Sequence, residues 1–179
     1  LERALQHDPR ATGLWLELAV IHQATGDVTR RRDALDRLLS LAPRHVTALH
    51  LRGDLRSNTS DLRGAIEDFT RCLELAPAHT AALHGRAWAR VLLGQGGERA
   101  MLEAALQDYT RSLELAPDDA LTYQGRGYVN ELLGDPGSAV ADYERALKLF
   151  PADSPHRARS ESLLGRARGG LPKPHAAGP

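Results

Sequence analysis

The sequence predicts an all-α solenoid of stacked helix-turn-helix hairpins, and two observations support this. The first is a short motif, rich in leucine and closing on proline, that occurs at residues 39–43, 73–77, 113–117 and 147–151. Its prolines are spaced 34, 40 and 34 residues apart, so one copy carries a six-residue insertion. The second is the helical spacing of apolar residues in two blocks within each period. A fixed period of this size is typical of repeats that bury their faces against one another.

The elements can be placed in order from these prolines. Complete repeats are expected at about 12–45, 46–79, 80–119 and 120–153. Residues 1–9 match the second helix of a truncated upstream repeat, since Pro9 ends a partial copy of the motif. A capping helix is expected at 154–168, where Leu163 and Leu164 lie on one side of a charged segment. The Gly- and Pro-rich residues 169–179 have nothing to bury, which predicts a disordered tail.

Turn residues divide each repeat into two helices. Gly26-Asp27 and residues 94–97 and 134–136 lie between the two apolar blocks of their repeats. Asp135 can cap the helix that follows it, and Pro136 suits the first helical position, where no amide bond is lost. The closing prolines end the second helices, because proline disfavours helical geometry in the residue before it.

Superposing the repeats separates small positions from bulky ones. Small residues coincide in the first helices at Ala19, Gly53, Ala87 and Gly127. They coincide in the second helices at Ala65, Ala105 and Ala139, and Arg31 breaks that series. Bulky residues form two further columns, Trp15, Leu49, Leu83 and Tyr123, and Leu35, Phe69, Tyr109 and Tyr143. We expect the small positions to let helices approach closely and the bulky ones to fill the core between hairpins.

This pattern resembles the tetratricopeptide repeat, a helical hairpin with a large and then a small residue in its first helix, alanine and an aromatic in its second, and a closing proline. The resemblance covers about residues 1–151. It implies a right-handed α-solenoid whose inner groove binds a protein or peptide, as a scaffold or adaptor. Family members that grip the carboxyl-terminal tails of heat-shock chaperones use Lys, Arg and Asn in that groove. A chaperone carboxylate clamp is not expected here, because the matching positions hold Leu16, Val20, Leu51, Ala81 and Gly85.

Three of the four repeats depart from the family pattern in the same way. Arginine replaces the usual leucine of the first helix at positions 52, 86 and 126, and aspartate follows in the second helix at 68, 108 and 142. The first repeat has Leu18 and Ala34 instead, so the two residue types occur and vanish together. We therefore predict an ion pair between the two helices of each hairpin, in which the planar fork of arginine holds a carboxylate with two hydrogen bonds.

The positions expected to line the inner groove give the candidate partner-binding residues. They are His50, Asp54, His84, Trp88, Gln124 and Tyr128. Trp88 and Tyr128 stand where no core position requires an aromatic, and such residues are common anchors of interfaces. The alternative is that these two rings pack between neighbouring first helices.

Histidine recurs at the spacing of one repeat. His45 and His79 follow closing prolines and are expected to finish a turn. His50 and His84 are expected on the groove face, and His50 lies one helical turn before Asp54. A metal site, a pH-sensitive contact to a partner and a solvated surface remain open for this pair.

Composition excludes several function classes. The 23 basic and 23 acidic residues leave no net charge to attract nucleic acid. The single cysteine, Cys72, cannot form an internal disulfide, which favours the cytoplasm. No apolar run is long enough for a membrane-spanning helix. The motifs of nucleotide-binding loops, zinc proteases and serine nucleophiles do not occur, so we expect no catalysis, no cofactor and no metal.

Three functions fit these observations. The first is a protein-interaction adaptor that holds a protein or peptide in the groove. The second is the regulatory or substrate-docking arm of an enzyme whose catalytic domain lies outside this fragment. The third is a self-associating scaffold that uses an apolar edge near Leu1 and Leu5, or the third hairpin. The insertion at residues 96–101 is expected to lengthen the second helix of that hairpin by about 9 Å.

Overall fold

The computed structural model describes residues 7–169, and all regular secondary structure in that range is α-helical. The helices in chain order are α1 (Thr12–Ala24), α2 (Val28–Leu41), α3 (Val46–Asn58), α4 (Leu62–Leu75), α5 (Thr80–Gln95), α6 (Arg99–Leu115), α7 (Ala120–Leu133), α8 (Pro136–Leu149) and α9 (Pro155–Gly169). Residues 1–6 and 170–179 lie outside the described part, so the upstream helix, the apolar edge and the tail stay predictions there. Gly169, predicted to begin the tail, is the last residue of α9.

The described helices pair into hairpins within two compact units. The first unit extends to Ala82 and contains the hairpins α1–α2 and α3–α4. The second begins at Leu83 and contains most of α5, then α6, the hairpin α7–α8, and α9. We call the first helix of each hairpin its A helix and the second its B helix. The predicted all-α helical-repeat architecture is confirmed for this part of the chain.

Side chains at the helix starts explain where most of the helices begin. Asp27, Asp61 and Asp135 each accept a hydrogen bond at 2.9–3.0 Å from the backbone N–H three residues later. The predicted cap at Asp135 is therefore confirmed, with Pro136 at the first helical position. His45 and His79 do more than finish a turn. The Nδ1 atom of each accepts from the backbone N–H three residues on, at 3.2 and 3.1 Å.

The small positions of the A helices accommodate aromatic rings from the B helices. A Cβ atom added at Gly53 would lie 2.7 Å from the ring of Phe69, closer than any real contact. One added at Gly127 would lie 2.9 Å from Tyr143 in the same way. Both rings are 0% exposed. Close approach of the rings thus requires glycine at these two positions, where the superposed repeats predicted a small residue.

The predicted ion pairs are confirmed in all three hairpins that carry them. They are Arg52–Asp68, Arg86–Asp108 and Arg126–Asp142. In each pair, Nε and Nη2 of the arginine donate to the two carboxylate oxygens at 2.7–3.0 Å. A residue four positions after the arginine donates to the same aspartate, which the sequence did not reveal. These second donors are Arg56, Arg90 and Asn130.

The six-residue insertion is shared between two helices, which corrects the sequence-based expectation. Helix α5 has 16 residues where α1 and α3 have 13, and α6 has 17 where the other B helices have 14. Each helix therefore gains about one turn. The B helix is lengthened by about 4.5 Å rather than 9 Å, because the turn at Gly97 moved outward with both helices.

Candidate functional site

The two aromatic residues Trp88 and Tyr128 both lie in the second unit. Both rings are half-buried against one core cluster that α5, α6 and α7 build together. The cluster members are Ala87, Val91, Leu102, Ala105, Tyr109 and Val129. Gln95 Nε2 donates a 2.6 Å hydrogen bond to the Tyr128 hydroxyl, which fixes the orientation of that ring. The packing alternative is therefore true in part for both rings. Tyr128 also packs against a second cluster that includes Tyr143 and Leu163, and both Trp88 and Tyr128 remain partly exposed.

Gln124 is buried, which contradicts its expected place on an open groove face. Only 8% of the residue is exposed. Its amide Nε2 donates to Ser160 Oγ at 2.7 Å and to the carbonyl oxygen of His156 at 3.2 Å. Helix α9 covers this position, and the seating of the cap could not be read from the local sequence. Gln124 consequently holds the capping helix.

His84 is held by a short hydrogen-bonded chain. The Thr122 hydroxyl donates to Asp119 Oδ2 at 2.6 Å, so its oxygen is available to accept. His84 Nδ1 lies 3.4 Å from that oxygen, in the position of a donor. The imidazole also meets the Tyr109 ring edge-on, with 5.4 Å between ring centroids. His84 is thus a half-buried, oriented side chain one helical turn before Trp88.

His50 and Asp54 lie together in the first unit. Their Nε2 and Oδ2 atoms are 3.6 Å apart, as expected for residues one helical turn apart. The ring of His79 lies 4.9 Å from that of His50, tilted by 38°. Burial lowers the pKa of His50, the charges of His79 and Arg31 lower it further, and Asp54 opposes them. The imidazole of His50 is therefore biased towards its neutral form.

Arg31 is the charged residue in this neighbourhood that the sequence-based site missed. It belongs to α2 and is 7% exposed. Its Nη2 donates to the carbonyl oxygen of Leu51 in α3 at 3.3 Å. The sequence did contain a signal for this residue, because Arg31 interrupts the series of small residues in the B helices.

Neither a metal-binding cluster nor a membrane-spanning helix is found among the described residues. The described residues contain no cluster of three His, Cys, Asp or Glu side chains placed to hold a metal ion. Of the helices between residues 7 and 169, none is both long and apolar enough to cross a membrane.

Solved structures share this fold at low sequence identity. MamA from Desulfovibrio magneticus RS-1 matches with a TM-score of 0.73 at 20% identity, over 81% of this chain and 78% of that chain. YrrB, described as a TPR protein with an unusual peptide-binding site, matches with a TM-score of 0.77 at 15% identity, over 94% and 82%. The first TPR of Spaghetti (RPAP3), bound to an HSP90 peptide, matches with 0.62 at 21%, over 70% and 91%. No curated protein matches in sequence.

Family models locate the repeats directly. One model described as tetratricopeptide repeat matches residues 46–79, which span the hairpin α3–α4. A second model with the same description matches residues 99–154, from α6 to the end of the hairpin α7–α8. The helical hairpins, their small and aromatic columns and these matches agree, and the chain belongs to the tetratricopeptide repeat family.

Proposed function

We propose that this chain is a protein-interaction module that holds a peptide segment of a partner against its A helices, without catalysis of its own. The observation that carries the proposal is the pair Trp88 and Tyr128. Half-buried aromatics are efficient anchors, because they offer a large apolar face that is already partly ordered. The hydrogen bond from Gln95 orders the Tyr128 ring before any partner arrives, which lowers the entropic cost of binding.

The rest of the candidate set supports a role in binding. His84 presents a polar ring one turn before Trp88, and its orientation is set by Thr122. Apolar anchors beside a few oriented polar groups are what a peptide site requires. YrrB has an unusual peptide-binding site and the first TPR of RPAP3 binds an HSP90 peptide, and both favour the same mode of binding for this chain.

The two tryptophans of the chain provide a matched test. Peptides would be selected from a random display library on the wild-type protein and then titrated against a Trp15→Phe variant. In that variant Trp88 is the only tryptophan, so a change in its fluorescence reports contact at the proposed site.

The variant Trp88→Leu keeps an apolar side chain against the core cluster and should weaken binding by at least about tenfold, the effect of losing one interface anchor. The variant Trp15→Leu, in α1, is the matched control and should bind as the wild type does. Selected peptides that bind Trp88→Leu with unchanged affinity would refute this site, provided that the helical circular dichroism of the variant is preserved.

A further inference from the structure

Arg31 occupies a position where the other B helices carry alanine. Ala65, Ala105 and Ala139 are each 0% exposed there. Arg31 has to place a long cationic side chain in the same narrow space, and it extends to the Leu51 carbonyl of the next helix. The Nε atom is buried and has no hydrogen-bond partner. A guanidinium carries five N–H donors, so this side chain is left under-satisfied.

The other buried charged residues in the described part of the chain each have a hydrogen-bonded partner of opposite charge. Asp68, Asp108 and Asp142 each meet an arginine fork, and Glu131 meets the fork of Arg166. Arg31 has no carboxylate in ion-pair contact in the part of the chain that the structure describes. Asp54 acts on it only through space, and burial lowers the pKa of Arg31. A desolvated cation without a hydrogen-bonded counter-charge is costly, so its presence calls for a compensating group.

The surroundings of Arg31 are suited to a negatively charged ligand. The side chains of His50 and Asp54 are 20% and 39% exposed, and the charges of both groups interact with Arg31. The site therefore reaches solvent through these two residues. His50 adds an imidazole ring whose N–H can donate a hydrogen bond to an anion. Asp54 is the one group here that would repel it.

We propose that Arg31, with His50 beside it, forms a recognition subsite for an oxyanion carried by the partner peptide, an acidic or a phosphorylated side chain. This rests on the proposed function, because the peptide brings the anion. The planar fork of arginine matches both carboxylate and phosphate oxygens, and partial desolvation strengthens such a contact. Asp54 limits the affinity of this subsite for an anion, because its negative charge shields Arg31 in the free protein and competes with the ligand.

The test combines NMR with thermal unfolding at constant ionic strength. The Arg31 Nε–H resonance would be followed in the wild-type protein during titration with inorganic phosphate and then with three peptides. The peptides share one sequence and carry serine, glutamate or phosphoserine at the central position. Two variants complete the set, Arg31→Met, which keeps the length of the side chain without its charge, and Asp54→Asn, which removes the competing carboxylate.

We expect phosphate, the glutamate peptide and the phosphoserine peptide to shift the Arg31 resonance and to raise the midpoint of thermal unfolding. The serine peptide should do so less. Arg31→Met should melt at a higher temperature than the wild type without any anion, and it should lose the anion-specific gain. Asp54→Asn should bind the anions more tightly.

The opposite results would overturn the subsite. If anions still raise the midpoint of thermal unfolding in Arg31→Met, they bind elsewhere. A large loss of stability in Asp54→Asn, with no gain in anion affinity, would show that Asp54 is itself the counter-charge of Arg31. The two proposals fail separately. Peptide binding that needs Trp88 but not Arg31 refutes the subsite alone, whereas a response to phosphate without any peptide binding refutes the peptide partner and keeps the subsite.

Discussion

Arg166 of the capping helix holds both carboxylate oxygens of Glu131, with Nε–Oε1 and Nη2–Oε2 distances of 2.6 and 2.8 Å. The Tyr143 hydroxyl donates to the same carboxylate at 3.1 Å, and Glu131 is 7% exposed. The pKa of Tyr143 is raised, by burial first and by the charge of Glu131 second. Helix α9 is therefore joined to α7 by a buried polar contact, while its leucines pack in one cluster with Ala139 and Tyr143 of α8.

Removing the cationic partner should release this helix. In Arg166→Leu, the buried Glu131 carboxylate keeps only the Tyr143 hydroxyl, and we expect the free energy of unfolding to fall by about 2 kcal/mol. Arg168→Leu is the control, because Arg168 pairs with Glu144 at the surface and its loss should cost about 0.5 kcal/mol or less. Urea unfolding of both variants decides the matter. Equal effects would show that the Glu131 contact contributes no more than a surface pair.

The ion pair within the fourth hairpin should behave as one unit. Asp142→Ala leaves the Arg126 guanidinium without its carboxylate and should lower the free energy of unfolding by about 3 kcal/mol. Adding Arg126→Leu should recover part of that loss, because the unpaired charge is then removed as well. This pair is the cleanest of the three, since the second donor to its aspartate is the neutral Asn130. A double variant whose loss equals the sum of the single losses would exclude the coupling.

The ion pairs were predictable because the repeats act as an alignment within one chain. Arginine and aspartate occur together in three copies and are both absent from the first, where Leu18 and Ala34 are buried instead. The fate of Gln124 was not predictable in this way. Its burial depends on how α9 packs on the hairpin α7–α8. Helix α9 has no counterpart in the other repeats from which this packing could have been inferred.

In the candidate site, the contacts of Arg31 could likewise not be predicted from the sequence. Sequence comparison identified Arg31 as an exception among alanines, but its reach to the Leu51 carbonyl depends on rotamers and on the spacing of α2 and α3. His50 and Asp54 were found because they lie on one helix at a fixed spacing. Contacts within one helix, and contacts between helices that recur in several repeats, follow from the sequence, whereas a contact that occurs once between helices requires the structure.

The turn between α3 and α4 contains a residue in a strained conformation. Ser60 has a φ of 65°, in the left-handed region, and the matching residue one repeat earlier is Gly26 with a φ of 72°. Ser60→Gly should raise the free energy of unfolding by about 0.5 kcal/mol, since the relief of strain is offset in part by the flexibility of glycine in the unfolded chain. Gly26→Ser should lower it by about 1 kcal/mol. Thermal unfolding checks both signs, and a Ser60→Gly protein no more stable than the wild type would indicate that the turn relaxes around serine.

Protonation of His50 should weaken the fold below neutral pH. Burial is the largest of the effects that lower the pKa of His50, and His79 and Arg31 add to it against the opposing charge of Asp54. The unfolded chain has an ordinary histidine pKa of about 6.5, so below that pH it binds more protons than the folded chain. The free energy of unfolding therefore falls as the pH decreases below about 6.5, and it is regained on return to neutral pH.

Urea unfolding between pH 5 and 7.5 tests this origin. His50→Gln should reduce the loss on acidification, while His7→Gln, which alters an exposed histidine, should leave the wild-type profile. If the profile of His50→Gln runs parallel to that of the wild type, the acid sensitivity does not come from His50.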